Sequence, residues 1–96
     1  MKILSHEYHT SDGYIIKYQD ENQDIKEILV EFHYQEIVVS EGYELYLHKE
    51  PPTVKSYTSI TDVVEIIDED LGESIVIDNE FTKMLEEYIT DIKVHE

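Results

Sequence analysis

The chain contains no cysteine, no arginine and no tryptophan, and only two prolines and three glycines. Without cysteine there is no disulfide framework, no thiolate zinc site and no thiol nucleophile, which fits an intracellular setting. Without arginine the chain lacks the side chain best suited to phosphate forks and guanine edges. All seven basic residues are lysines, against 23 acids, giving a formal net charge of -16. A surface of that sign repels a polyanion, so direct nucleic-acid binding is not expected. The amino terminus, Met-Lys-Ile-Leu-Ser-His-Glu, has no signal-peptide apolar run, and no stretch has the length of a membrane span. The expectation is a protein of the cytoplasm.

What is present is enough for one modest core. At 96 residues and 41% hydrophobic content the chain reads as one domain over 1–96, and wholesale disorder is not expected. Charge is uneven: residues 1–58 carry 11 acids and 5 lysines, residues 59–96 carry 12 acids and 2 lysines.

Along the chain, residues 2–9 read as a first strand ended by Thr10-Ser11-Asp12-Gly13, and Tyr14 to Tyr18 as a second, making a hairpin. After the polar tip Asp20 to Asp24, Lys26 to Ser40 is a long strand with Ile28, Val30, Phe32 and Tyr34 on one face. A bulge is expected near Gln35-Glu36, where the apolar phase breaks. Ser40-Glu41-Gly42 turns the chain into a fourth strand, Tyr43 to His48, which Pro51-Pro52 ends, and the segment to Thr58 reads as a crossing connection. Ile60, Val63, Val64, Ile67 and Leu71 recur at helical spacing with Ser59 as N-cap and Gly72 as stop, predicting a helix over 60–71. A second stripe, Phe81, Met84, Leu85, Tyr88, Ile89 and Ile92, capped by Asp78, predicts a helix over 79–93, with residues 74–77 read as a buried connector. The expected fold is α+β: a four-stranded antiparallel meander over about 2–49 and two C-terminal amphipathic helices packed on one face.

Candidate chemistry is sparse. Asp20, Asn22, Asp24 and Glu31 match oxygen-ligand positions of an EF-hand calcium loop, but Ile25 replaces the required glycine and the flanks are strands, so the segment reads as a hairpin tip. His6-Glu7-Tyr8-His9 lacks the helical i, i+4 pair of a zinc motif, and the five histidines read as surface imidazoles. No glycine-rich phosphate loop exists, and no nucleophile stands out, so neither a cofactor, a metal nor an enzyme is expected. Eight tyrosines exceed what a core this small can hold, so some should be exposed, as at interfaces.

The acids themselves are the remaining feature. Asp62, Glu65, Asp68, Glu69 and Glu73, with Asp70, form one expected helical row, and Glu80, Glu86, Glu87 and Asp91 a second. Such rows space carboxylates much as a strand spaces phosphates, and would attract a basic protein whose groove normally holds nucleic acid. In size, charge and helix-borne acid the chain resembles the phage-encoded DNA-mimic proteins that block host restriction or CRISPR nucleases. That resemblance implies an anti-restriction or anti-CRISPR inhibitor; an immunity protein or antitoxin for a basic nuclease shares the mechanism. The alternative is a structural or regulatory interaction module, including a homodimer through a strand edge, whose acidity only keeps it soluble.

Overall fold

The computed structural model describes residues 1–40, 43–45, 48–50 and 53–95. Strands β1 (Lys2–Thr10), β2 (Gly13–Gln19) and β3 (Ile25–Ser40) lie where the alternation places them. Next come two short strands, β4 (Tyr43–Leu45) and β5 (His48–Glu50), then β6 (Thr53–Ile67), β7 (Asp70–Ser74) and helix α1 (Asn79–Val94). The main sheet is antiparallel in the order β1-β2-β3-β6-β7, and β4 and β5 form a separate antiparallel pair.

The expected meander with two helices is therefore corrected: among the described residues the main sheet has five strands and there is one helix, at the C-terminal end. Of the fourth strand expected over 43–48, the described residues Tyr43–Leu45 pair with His48–Glu50 and not with β3; the place beside β3 belongs to β6, which pairs with it from Glu27 opposite Ile66 to Ser40 opposite Thr53. The turn at Glu41-Gly42 and the strand end at Pro51-Pro52 lie outside the described residues.

The segment 60–71 is strand, turn and strand for identifiable reasons. It is rich in β-branched residues, which stiffen at χ1 and favour the pleated surface. Its helix-like spacing comes from a bulge: Asp62 lies opposite Glu31 but Ile60 opposite Phe32, leaving Thr61 as the extra residue. Ile60 and Val63, three apart, thus both reach the core, while Val64 lies on the other face in register with Leu29. Ile67 and Asp70 then pair across Asp68 and Glu69, both with positive φ (51° and 69°), the signature of a type I′ hairpin turn. Gly72, expected to stop a helix, sits inside β7, where a Cβ would meet the Glu65 carbonyl oxygen at 3.0 Å. The bulge expected at Gln35-Glu36 is also displaced. Register there is continuous and shifts instead beside Phe32 and beyond Val38.

One face of the sheet is sealed by α1. Tyr14, Ile16 and Tyr18 of β2, Ile28, Val30 and Phe32 of β3, and Val63 of β6 are buried against Phe81, Leu85 and Ile89. The helix begins where its capping residue demands, with the Asp78 carboxylate accepting from Phe81 N–H at 2.7 Å. Lys93 fastens the other end, donating to the Ser11 carbonyl at 3.0 Å above the rings of Tyr14 and Phe32. Residues 75–78 connect β7 to the helix, with Ile75 and Ile77 packed on the core and Val76 fully exposed.

Two substitutions test this frame. Glu69→Gly should raise stability by about 0.5–1 kcal/mol by relieving a left-handed backbone; in a helix interior the same change would cost about 1 kcal/mol, so the sign of the urea-midpoint shift decides between them. Leu85→Ala should cost about 2–5 kcal/mol in the same assay, because its side chain is fully buried between helix and sheet.

Candidate functional site

The ten acids singled out from the sequence do not form two helical rows. Six lie on the β6–β7 hairpin and four on α1. On the hairpin, Asp62 is committed to local structure: its Oδ1 accepts from the Val63 N–H at 3.0 Å and its Oδ2 from the Ser74 hydroxyl at 3.2 Å. Glu65 lies opposite Ile28 and is half-buried beside Tyr18. Asp68, Glu69, Asp70 and Glu73 are exposed on the turn and on the edge strand β7. Asp68 and Glu69 occupy the turn, and Asp70 and Glu73 follow the rise of a strand, about 3.3 Å per residue, instead of the i, i+4 spacing of a helix.

On α1, Glu80 is in the first turn, where the helix dipole favours a carboxylate. Glu86 is half-buried, and Glu87 and Asp91 are exposed. Asp91 is 3.5 Å from the His95 imidazole. Among the described residues, Asp68, Glu69, Asp70, Glu73, Glu80, Glu86 and Glu87 have no cation within ion-pairing distance.

A groove of about 790 Å³ lies between α1 and the distal half of the β3–β6 ribbon. Glu86, Glu87 and Asp91 line it from the helix, Ser56 to Ser59 from β6, and Ile37 from β3. The Thr58 and Thr90 hydroxyls, 2.7 Å apart, tie strand to helix there. Residues 53–58 belong to β6 and not to the crossing connection expected over 51–58; the signal for this wall is the β-branched and aromatic content of Thr53, Val54, Tyr57, Thr58 and Ile60.

The tyrosines divide as their number requires. Tyr14 and Tyr18 are core, Tyr34 and Tyr88 half-buried, and Tyr8 and Tyr57 exposed at 66% and 40%. Tyr88, placed in the apolar stripe of α1, packs its ring on the core while its hydroxyl meets His6 Nδ1 of β1 at 2.8 Å. Burial pushes the Tyr88 and Tyr18 phenols above their ordinary pKa.

In the loop resembling a calcium site, both carboxylate oxygens of Asp20, the first matched position, are engaged within the chain. Asp20 Oδ1 accepts from the Asn22 and Asp24 N–H groups, each at 2.9 Å, and Oδ2 lies 3.3 Å from Lys26 Nζ. This is an Asx-type hairpin tip, with Gln23 at positive φ. Among the described residues, no group of three or more His, Cys, Asp or Glu is placed to hold a metal ion. Among the described residues, no helix is long and apolar enough to cross a membrane.

Comparison with protein-family models, with curated proteins and with solved structures gives no match.

The Asp24 N–H, and after it Lys26 and the Asn22 N–H, hold the Asp20 carboxyl below its ordinary pKa. Because the folded value is depressed, this interaction stabilises the turn above the unfolded pKa of about 3.9 and is lost as pH falls through the folded value. The Asn22 and Asp24 amide resonances should therefore titrate together with a midpoint below about 3.9. An ordinary midpoint would mean that the carboxylate is solvated and the turn is held by backbone alone.

Proposed function

We propose that this protein is a non-enzymatic, cytoplasmic binding protein that presents a carboxylate-rich surface to a basic partner, in the manner of a DNA-mimic inhibitor. The partner is a protein whose lysine- and arginine-lined groove holds nucleic acid; occupying that groove inhibits it without chemistry. The observation that carries this reading is the set of unpaired carboxylates on the β6–β7 hairpin and α1. Acidity that served folding would be expected to recruit the chain's own lysines, as Asp20 recruits Lys26. Here Asp68, Glu69, Asp70 and Glu73 instead stand in sequence on an exposed turn and edge strand, like-charged neighbours that weaken the isolated fold and strengthen attraction to a polycation. The surface is not the pair of helical rows expected from the sequence, so any resemblance to helix-borne mimics rests on charge and size.

A second reading has its own observation. β1 is an edge strand with one acid, Glu7, and with Leu4 and Tyr8 exposed, so it offers the least repulsive place for another copy or another strand to add. Salt separates the two, since edge pairing persists at ionic strengths that dissolve a charge-driven complex.

The test is capture on the tagged full-length protein from a nuclease-treated bacterial lysate, eluted with rising salt and with DNA. A basic nucleic-acid enzyme released by moderate salt and displaced by DNA is expected. Combining Asp68→Asn, Glu69→Gln, Asp70→Asn and Glu73→Gln should weaken its capture at least tenfold while leaving the fold intact. A salt-resistant partner, or capture unaffected by the four substitutions, would overturn the proposal for this surface.

A further inference from the structure

The sheet leaves one edge open next to the groove. β6 is paired with β3 along its length, but β7 covers it only from Val64 to Ile67, and the Ile75 N–H adds one bond to the Val63 carbonyl. Among the described residues, no strand lies along the outer edge of β6 from Val54 to Thr61. Four consecutive residues, Ser56 to Ser59, line the groove. Side chains of a strand alternate between faces, so four in succession meet one groove along the strand's edge, where its free N–H and C=O groups lie.

The groove's other walls define what fits. Glu86, Glu87 and Asp91 supply three carboxylates against one lysine, Lys83. Tyr57, Ile37 and Val94 supply apolar surface, each at least 40% exposed. The Tyr57 ring already accepts a cation, with Lys55 Nζ 5.8 Å from its centroid.

We infer that this groove receives an extended segment of the basic partner as an added strand on β6, continuing the line of β7. Lysine or arginine side chains on one face of that segment meet Glu86, Glu87 and Asp91, and apolar side chains on the other cover Ile37 and Tyr57. The four groove-lining residues of β6, Ser56 to Ser59, span about 13 Å, so the segment is four to six residues long. Main-chain hydrogen bonds give affinity, and the alternating charge gives selectivity over neutral or acidic strands. The inference rests on the proposed reading of a basic partner and places one point of contact more narrowly than that reading does.

The probe is a capped peptide of three Arg-Val repeats, titrated into the isotopically labelled full chain at low salt. A companion peptide carries N-methyl groups at every second residue, which blocks main-chain donation on one edge and keeps the charge. The expected result is shifts in the amide resonances of residues 54–61 and 86–91, with new exchange protection along β6. Combining Glu86→Gln with Asp91→Asn, both on the groove wall formed by α1, should weaken binding roughly five- to tenfold, the range for two partly exposed charge contacts. The N-methylated peptide should bind at least tenfold more weakly.

Shifts confined to residues 68–73 would overturn the groove while leaving the basic-partner reading standing. Equal binding of the two peptides would overturn strand addition. The same shifts appearing with protein concentration alone would assign the edge to a second copy and overturn the inference. No binding anywhere at low salt would count against this inference and the partner reading together.

Discussion

The backbone ladder between β3 and β6 is the constraint on which the other elements depend. Its strands run 16 and 15 residues, and a strand of that length spans about 50 Å. The radius of gyration is accordingly 17.2 Å, where a compact chain of this size would give about 13 Å. Only the half containing Ile28, Val30, Phe32 and Val63 has enough apolar side chain to recruit β2 and α1. The distal half, from His33 to Val38 against Val54 to Ser59, lacks flanking strands among the described residues, and its outer edge and groove follow from that.

Some of this architecture was legible in the residues. Strict alternation of Tyr14, Ile16 and Tyr18, and of Ile28, Val30 and Phe32, gave β2 and β3 and their buried faces. Asp78 followed by an apolar stripe gave α1 within about a residue at either end. The failure at 60–71 has a specific cause. A bulge at Thr61 brings Ile60 and Val63 to one face, and Leu29 makes the opposite face partly apolar, so neither a period of two nor a polar side survives in the sequence. The turn lacks Asn-Gly or Asp-Gly and forces Glu69 into a conformation that glycine normally supplies. Spacing alone therefore favoured a helix, whereas β-branched content pointed to strands.

Of the candidate surface, the identity of the acids was legible and their arrangement was not. Charge is read directly from sequence, but whether a carboxylate is spent within the fold depends on tertiary neighbours. Asp62 is held by Ser74, Asp20 by its own turn and Lys26, and Asp78 by the helix it caps. These acids have structural work to do. Those on the turn, on β7 and on the outer helix surface have none of these partners, and they concentrate the charge away from β1.

A surface of like charges kept for a partner carries a cost in the free protein, and that cost is measurable without knowing the partner. Unpaired carboxylates repel one another, and salt screens that repulsion over about 10 Å at 0.1 M. The thermal midpoint of the isolated protein at neutral pH, followed from a few millimolar to about 0.5 M sodium chloride, tests the claim most directly, since screening across that range is nearly complete. The account predicts a steady rise that levels off once the repulsion is screened. A midpoint that stays flat or falls would show the carboxylates already compensated within the fold, and would contradict a surface held open for a basic partner.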